Sequence, residues 1–531
     1  MPGPPQGPFA TPAFRPFIHK WAGFWIFFCF VAIFRLSDTV YLASMQQIVG
    51  ATSLLAEDVE MIAYSSFIGM TMIFPMLFRL KFRFTTKGIL TFVTLSLVVL
   101  NIAITHTTFI PILVAIGFVS GALRIWGMFE CMSSIMQGIT PQRDFAIFFP
   151  VIYFMILGFI QITGFVDTYI TYHFSWQMMN YADIGLLLTV CLIVQVLMRH
   201  FRFGPPMPLY GVDWLGGVLW ACVLLLLTFI FTYGEYLDWF YSLYIRFAAA
   251  AALLVLAIVL GRMLHIRHPY LEYRTFRYPN VFNMLLLFLL MCLILETQTE
   301  LQNRFTSAVL HFDAINTVSL NIPTLFGVAV GAYFSCKALT YLNWSYKMLT
   351  FTGFLFLVYY MAAMYFLIDP DTSIEKLYLP SFFRGFGNIL IYVGVTVYAQ
   401  KVIPFQHFFQ GLCILGMVRT GIANPIGGAL FTRWFKYAMI KHSELLGSDV
   451  NPIALSMQAR RTAVDMLNQQ AMLVSLKEIF GYCVIIGIAT LLIILASRYK
   501  GEFHYLVPTD WQVYRRLQKW NTKLQKKPAK T

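Results

Sequence analysis

Apolar residues come in runs of about twenty, separated by short polar stretches, from Trp21 to Ser497. Wound as an α-helix, a run of that length crosses roughly 30 Å of hydrocarbon, so the pattern predicts an all-α membrane protein. The predicted spans number fourteen: 22–44, 59–78, 88–105, 109–137, 145–170, 177–198, 211–233, 242–261, 281–301, 312–336, 348–368, 377–400, 407–431 and 478–497. A long segment, about 432–477, precedes the last span. Its stretch from Pro452 to Gln470 mixes apolar and polar residues at helical spacing. That spacing predicts a helix outside the membrane or an extension of the last span, acting as a partner-docking surface or as a solvated connector.

The pattern also repeats. Asp38-Thr39 is matched by Glu296-Thr297, Arg124-x-x-Gly127 by Arg384-x-x-Gly387, Gly69 by Gly327 and Arg79 by Lys337, at offsets of 258 or 260 residues. An even number of spans separates the equivalents, so the two halves share one orientation. This predicts an N-terminal six-helix bundle at 21–200, an inserted transmembrane hairpin with linkers at 201–275 and a C-terminal six-helix bundle at 276–498. A short segment, 1–20, precedes them and a basic tail, 499–531, follows. A parallel six-plus-six repeat is the major facilitator fold, in which substrate sits between the halves near the bilayer midplane.

Composition sharpens this picture. The 531 residues are 59% hydrophobic and only 12% charged, about half the charge of a soluble domain. The net charge of +14 does not call for a nucleic acid, because Lys and Arg alternate from loop to loop. Arg79, Lys81, Arg83 and Lys87 lie in one inner loop, and Arg262, Arg267, Arg274 and Arg277 in another; outer loops carry acids such as Glu57, Asp58, Glu235 and Asp369. By the positive-inside rule both termini are cytoplasmic. The tail, with Trp511, Tyr514 and Trp520 among its basic residues, suits anionic lipid or an ordinary cytoplasmic end. Eight cysteines fall singly within predicted spans, which predicts neither a disulfide nor a metal site. No nucleotide-binding loop is present, so active transport would draw on an ion gradient or on another protein.

Ionisable groups inside spans are costly and are usually paired, cavity-facing and functional. Read from the sequence they are Arg35, Asp38, Arg124, Glu130, Asp167, Arg246, Glu296, Glu300, Arg384 and Arg419. Asp38 shares a helix face with Arg35 and either pairs with it or exchanges a proton under the control of an opposing cation such as Arg124. Glu130 follows Arg124 by six residues, about 240° net around the helix, and answers another partner or serves packing. Glu296 and Glu300, four apart, share a face; two acids that repel when both are ionised suit proton or cation coupling. Glu300 could instead pair with Arg304. Arg384 either mirrors Arg124 in function or does so only in structure. Asp167 and Arg246 are read as interfacial.

Several segments resemble the EmrB/QacA-type drug:proton antiporters, the fourteen-spanning branch of the major facilitator superfamily. Ser37-Asp38-Thr39-Val40 is similar to the family's first-helix motif, and Arg124 to the Arg of its fourth-helix RxxQG motif, with Gly127 in place of Gln. Phe174-Ser175-Trp176-Gln177 is similar to the segment before span six, and Asp213-Trp214-Leu215-Gly216 to the opening of the inserted hairpin. The stretch from His268 to Arg277 resembles the family's linker, and Leu467 to Phe480 the approach to its last helix. The loop at Arg79 to Gly88 lacks the acidic residue of the superfamily motif, and Thr163-Gly164 to Asp167-Thr168 stands where antiporters carry GPxxGG.

The resemblance implies proton-coupled efflux of small hydrophobic or amphipathic compounds, with no cofactor and no enzymatic reaction. Asp38 would be the leading proton carrier, Arg124 its charge partner and Glu296 a second titrating group, with Glu130, Arg384 and Glu300 as further candidates. It also implies a bacterial inner-membrane location and, in a two-membrane bacterium, a periplasmic adaptor and an outer-membrane channel as partners. The alternatives are a carrier for a specific metabolite without proton antiport, and a membrane-embedded enzyme acting on lipid-linked substrates.

Overall fold

The computed structural model describes residues 13–36, 45–140, 144–201, 209, 211–266, 268–278, 281–448 and 457–496. Asp38 with its flanking motif and the basic tail lie outside the described residues. Twelve helices among the described residues are long and apolar enough to cross a membrane, and thirteen if one bent pair counts as a span; Trp21–Leu36 is a shorter apolar helix. The chain is therefore an integral membrane protein, and the helical form follows from the solvent: in hydrocarbon a helix satisfies each backbone group within its own segment.

The first set of helices comprises α1 (Lys20–Leu36), α2 (Met45–Ala51), α3 (Ala56–Met72), α4 (Phe74–Arg83), α5 (Thr86–His106), α6 (Ile110–Ile139), α7 (Phe145–His173) and α8 (Trp176–Leu197). Then come α9 (Trp214–Thr232) and α10 (Leu243–His265). The second set is α11 (Val281–Arg304), α12 (Ala314–Val318), α13 (Asn321–Thr340), α14 (Tyr346–Leu367), α15 (Tyr378–Val402), α16 (Phe405–Gly416), α17 (Asn424–Gly447) and α18 (Met457–Ala496). A π-helical stretch, Met417–Ala423, joins α16 to α17, and another, Phe305–Val309, follows α11.

Equivalent devices recur in the two sets. Thr85 caps α5 by accepting from the Gly88 amide at 3.1 Å, and Ser345 caps α14 by accepting from the Met348 amide at 3.1 Å. Two residues on, Lys87 donates to the Gln195 carbonyl at 3.0 Å and Lys347 to the Leu495 carbonyl at 2.6 Å. Each ammonium thus meets the unsatisfied, partly negative end of a helix, α8 in one set and α18 in the other. Both lysines are buried, which a reading of Lys87 as a loop charge does not anticipate.

The glycines fix the register more closely. A Cβ on Gly69 would collide with the Phe118 carbonyl, and one on Gly121 with the Ser66 carbonyl, so α3 and α6 touch through backbone. In the second set Gly327 meets the Phe382 carbonyl and Gly385 the Thr324 carbonyl, joining α13 and α15 in the same way. Small residues permit such close crossings. These contacts pair Gly121 with Gly385, 264 residues on, and therefore Arg124 with Asn388. The alignment of Arg124 with Arg384 is out by four residues, one helical turn, which keeps the same helix face and so looks plausible in sequence.

The helix predicted over 59–78 is bent by 58° between α3 and α4. Pro75, second in α4, lacks the N–H that would continue the ladder. The Tyr270 hydroxyl, from the segment after α10, donates to the Met72 carbonyl at this bend. Burial pushes the Tyr270 phenol up, so it stays a donor. In the same segment Glu272 lies 3.4 Å from His407 of α16, so this linker ties α4's end of the first set to the second.

Helix α9 packs against α3, α17 and the stretch 417–423, while α10 packs chiefly on α9. Asp213 caps α9 through the Gly216 amide at 2.9 Å and accepts from Arg262 at 2.7 Å, closing the base of this hairpin. At the other end Tyr233 donates to Asp58 at 2.5 Å. The two sets meet along α7 with α13 and α15, and along α3 with 417–423. Of the long segment before the last span, the described part is helical: α17 runs on to Gly447, and Met457–Ala496 is one helix that extends the span.

Candidate functional site

Helix α3 presents Glu60 and Tyr64, and α11 presents Glu296 and Glu300. Each pair is four residues apart and so lies on one face. The faces look at each other across the seam between the sets: Tyr64 Oη donates to Glu296 Oε1 at 3.5 Å. Glu60, Glu296 and Glu300 are all half-buried and within electrostatic reach of one another. Gly427 of α17 brings no side chain here; a Cβ on it would sit 3.2 Å from the Glu296 Cβ. Arg304 does not close an ion pair with Glu300. Its guanidinium stacks instead over Phe431 and Phe435, 5.7 and 5.2 Å from their centroids.

Next to the acids stands a group of cations. Arg419 belongs to the π-helical stretch 417–423, a local widening that is often found at functional positions. Its guanidinium lies 5.1 Å from the Tyr392 ring centroid. Arg35 of α1 and Arg124 of α6 share its electrostatic surroundings, and both are buried, at 5% and 3% exposure. Asp183 of α8 is also buried and faces the charge of Arg124. Glu296 is in turn within reach of Arg419 and Arg384.

Aromatic and hydroxyl groups complete the wall. Tyr153 of α7 lies 5.4 Å from Tyr392 and 2.6 Å, hydroxyl to hydroxyl, from Thr396. Phe288 of α11 meets Tyr392 edge-on at 5.5 Å. Thr71 and Thr420 bridge the sets at 3.1 Å. No group of three or more His, Cys, Asp or Glu among the described residues could hold a metal ion.

The remaining candidates fall elsewhere. Arg384 donates to Gln302 Oε1 at 3.0 Å and to Thr299, and Tyr360 donates to the same Gln302 oxygen at 2.7 Å, so inside the second set the guanidinium is held by uncharged partners. Glu130 pairs with Lys81 at 3.0 Å; Lys81 also donates to Ser133 at 2.6 Å and Thr86 to Glu130 at 3.2 Å. This pair lies within the first set, with side chains 3% and 0% exposed. Asp167, read as interfacial, is buried. Glu60 was hidden at the edge of a predicted span, where an acid reads as a loop residue. Asp183 lay inside the span 177–198 and was legible as a span-internal acid.

No family model matches the sequence, and no curated protein does. Solved structures do resemble the fold. An auto-inhibited POT family peptide transporter aligns with 91% of this chain and 99% of its own at a TM-score of 0.53 and 14% identity. The human organic anion transporter MFSD10 (TETRAN) aligns with 89% and 100%, at 0.52 and 8% identity. The POT family transporter PepTSo covers 91% and 99%, at 0.52 and 14% identity. At these identities the likeness establishes a shared helical fold with these three transporters.

Proposed function

We propose that this protein is a secondary active transporter that couples small amphipathic molecules to protons. In this reading it has fourteen spans, two six-helix halves at 21–200 and 276–498, and an inserted hairpin within 201–275. The observation that carries it is the meeting of Glu60 and Tyr64 from one half with Glu296 and Glu300 from the other. In alternating access the halves rock against each other around a fixed central site. A carboxylate on that seam exchanges its surroundings at each rocking, so its protonation is tied to which side is open.

The aromatic wall of Tyr153, Tyr392 and Phe288 suits an amphipathic body. Export in exchange for protons, as in multidrug efflux, requires substrate and proton to compete for the carboxylates; co-transport requires them to bind together. Asp38 lies outside the described residues, so the proposal rests on Glu296, with Glu60 and Glu300 beside it; Arg384 and Glu130 take structural roles. In the inner membrane of a two-membrane bacterium, with both termini cytoplasmic, the hairpin of α17 and α18 is the part a periplasmic adaptor would meet.

The test is reconstitution into liposomes holding a pH-sensitive dye. With an amphipathic substrate found by panel, the wild type changes the internal pH as substrate moves. Glu296→Gln keeps substrate counterflow and loses the pH change. An unchanged pH signal in that variant overturns the assignment.

A further inference from the structure

We propose that the transported molecule carries an anionic group on an aromatic or similarly apolar body, and that Arg419 holds that group beside the face of Tyr392. The inference rests on the reading of the chain as a transporter and names its substrate class.

A guanidinium cannot shed its proton in a protein, and a charge inside the membrane demands a counter-charge or a polar cavity. Among the described residues no carboxylate lies within ion-pair distance of Arg419 and no acceptor takes a hydrogen bond from its guanidinium; its near neighbour is the Tyr392 ring. Arg419 is nevertheless interior. The groups within its electrostatic reach come from four helices: Arg35 of α1, Tyr153 of α7, Glu296 and Cys292 of α11, and Tyr392 of α15. It is also half-buried rather than fully enclosed, so part of its surface stays accessible.

The neighbours select against a cation at this point. Arg35 and Arg124 add positive charge to the same region, and Asp183 faces Arg124 from α8, on the side of the first set. Glu296 is the acid whose charge reaches Arg419, but it is turned toward Tyr64 and flanked by Glu60 and Glu300. An organic cation would be drawn to those acids instead, which makes the two substrate classes separable. Five donors in a planar fork suit a carboxylate or a phosphate, bound in bidentate fashion. The rings of Tyr153, Tyr392 and Phe288 supply faces and edges for an aromatic body, and the Tyr153 and Thr396 hydroxyls supply a polar end.

Three probes of matched shape test this: phenylacetate, phenylacetamide and phenethylammonium, each titrated onto the purified full-length protein in detergent by calorimetry and by thermal unfolding. Phenylacetate is expected to bind about tenfold or more tightly than the amide, as a charge-assisted hydrogen bond supplies, with phenethylammonium weaker than phenylacetate. Arg419→Gln removes the preference and Arg419→Lys retains part of it. Equal response to the three probes in the wild type, including none, overturns the proposal without recourse to a variant, as does a preference that survives Arg419→Gln. The measurement is an equilibrium one and needs no flux. A protein that prefers the anion yet moves no protons therefore refutes the transport reading alone, and one that moves protons with amines or amides refutes this inference alone.

Discussion

Tyr64 and Glu296 stand 232 residues apart in the chain and meet at 3.5 Å across the seam between the two sets of helices. Around Glu296 are Glu60 and Tyr64 from α3, Glu300 and Cys292 from its own helix, Arg384 and Tyr392 from α15 and Arg419 from the π-helical stretch. The carboxylate is thus placed between an acidic and a cationic group, and its charge state affects both.

Replacing Tyr64 by Phe removes the hydroxyl and little else. The bond is long, so its loss is worth on the order of 1 kcal/mol, near fivefold in an equilibrium. Transport measured against pH in liposomes should shift its midpoint while the yield of folded protein stays constant. A pH profile that superimposes on the wild type would show that Tyr64 does not act on Glu296 during transport.

If an anion binds at Arg419, the attraction between Arg419 and the charge on Glu296 is weakened, and charge balance favours an anion and a proton binding together. Phenylacetate added to the protein in weakly buffered detergent should therefore be accompanied by proton uptake, and Glu296→Gln should reduce that uptake. Proton release on binding would favour exchange instead, the coupling expected of a drug:proton antiporter.

Lys81 and Glu130 form an ion pair almost wholly removed from solvent. Lys81→Met or Glu130→Gln alone leaves a charge or a polar network without its partner, at a cost of about 3–5 kcal/mol for a buried charge. The double change to Met at both positions should recover most of the lost stability, since two apolar side chains replace the pair. Thermal unfolding of the three variants in detergent reads this directly, and a double variant no better than the singles would contradict a mainly structural pair.

Glycine substitutions should differ in sign with position. Gly121→Ala and Gly385→Ala place a methyl against backbone of the crossing helix, and each should lower the unfolding temperature by an amount corresponding to about 1–3 kcal/mol. Gly185→Ala, where nothing lies within 4 Å, should stabilise α8 by roughly 0.5–1 kcal/mol. Equal effects at all three positions would mean that helix propensity, not close approach, governs them.

The apolar runs alone determined that this is a membrane protein of many helices, because span length and backbone satisfaction in hydrocarbon leave no other choice. Local spacing was also legible: Glu296 and Glu300 share a face, and Gly69 and Gly327 mark equivalent helices. The tertiary structure decided which faces meet. A span that is apolar all round carries little signal of its rotation about its own axis, so nothing local to Glu60 or Glu296 indicates that they face each other, or that Lys81 is buried against Glu130. The four-residue register of α15 was equally hidden, since a shift of one turn preserves the helix face, and the backbone contacts of Gly121 and Gly385 resolve it. The placement of Arg419 beside Tyr392 depends on a π-helical widening and on four other helices, which is long-range packing that no window of sequence contains.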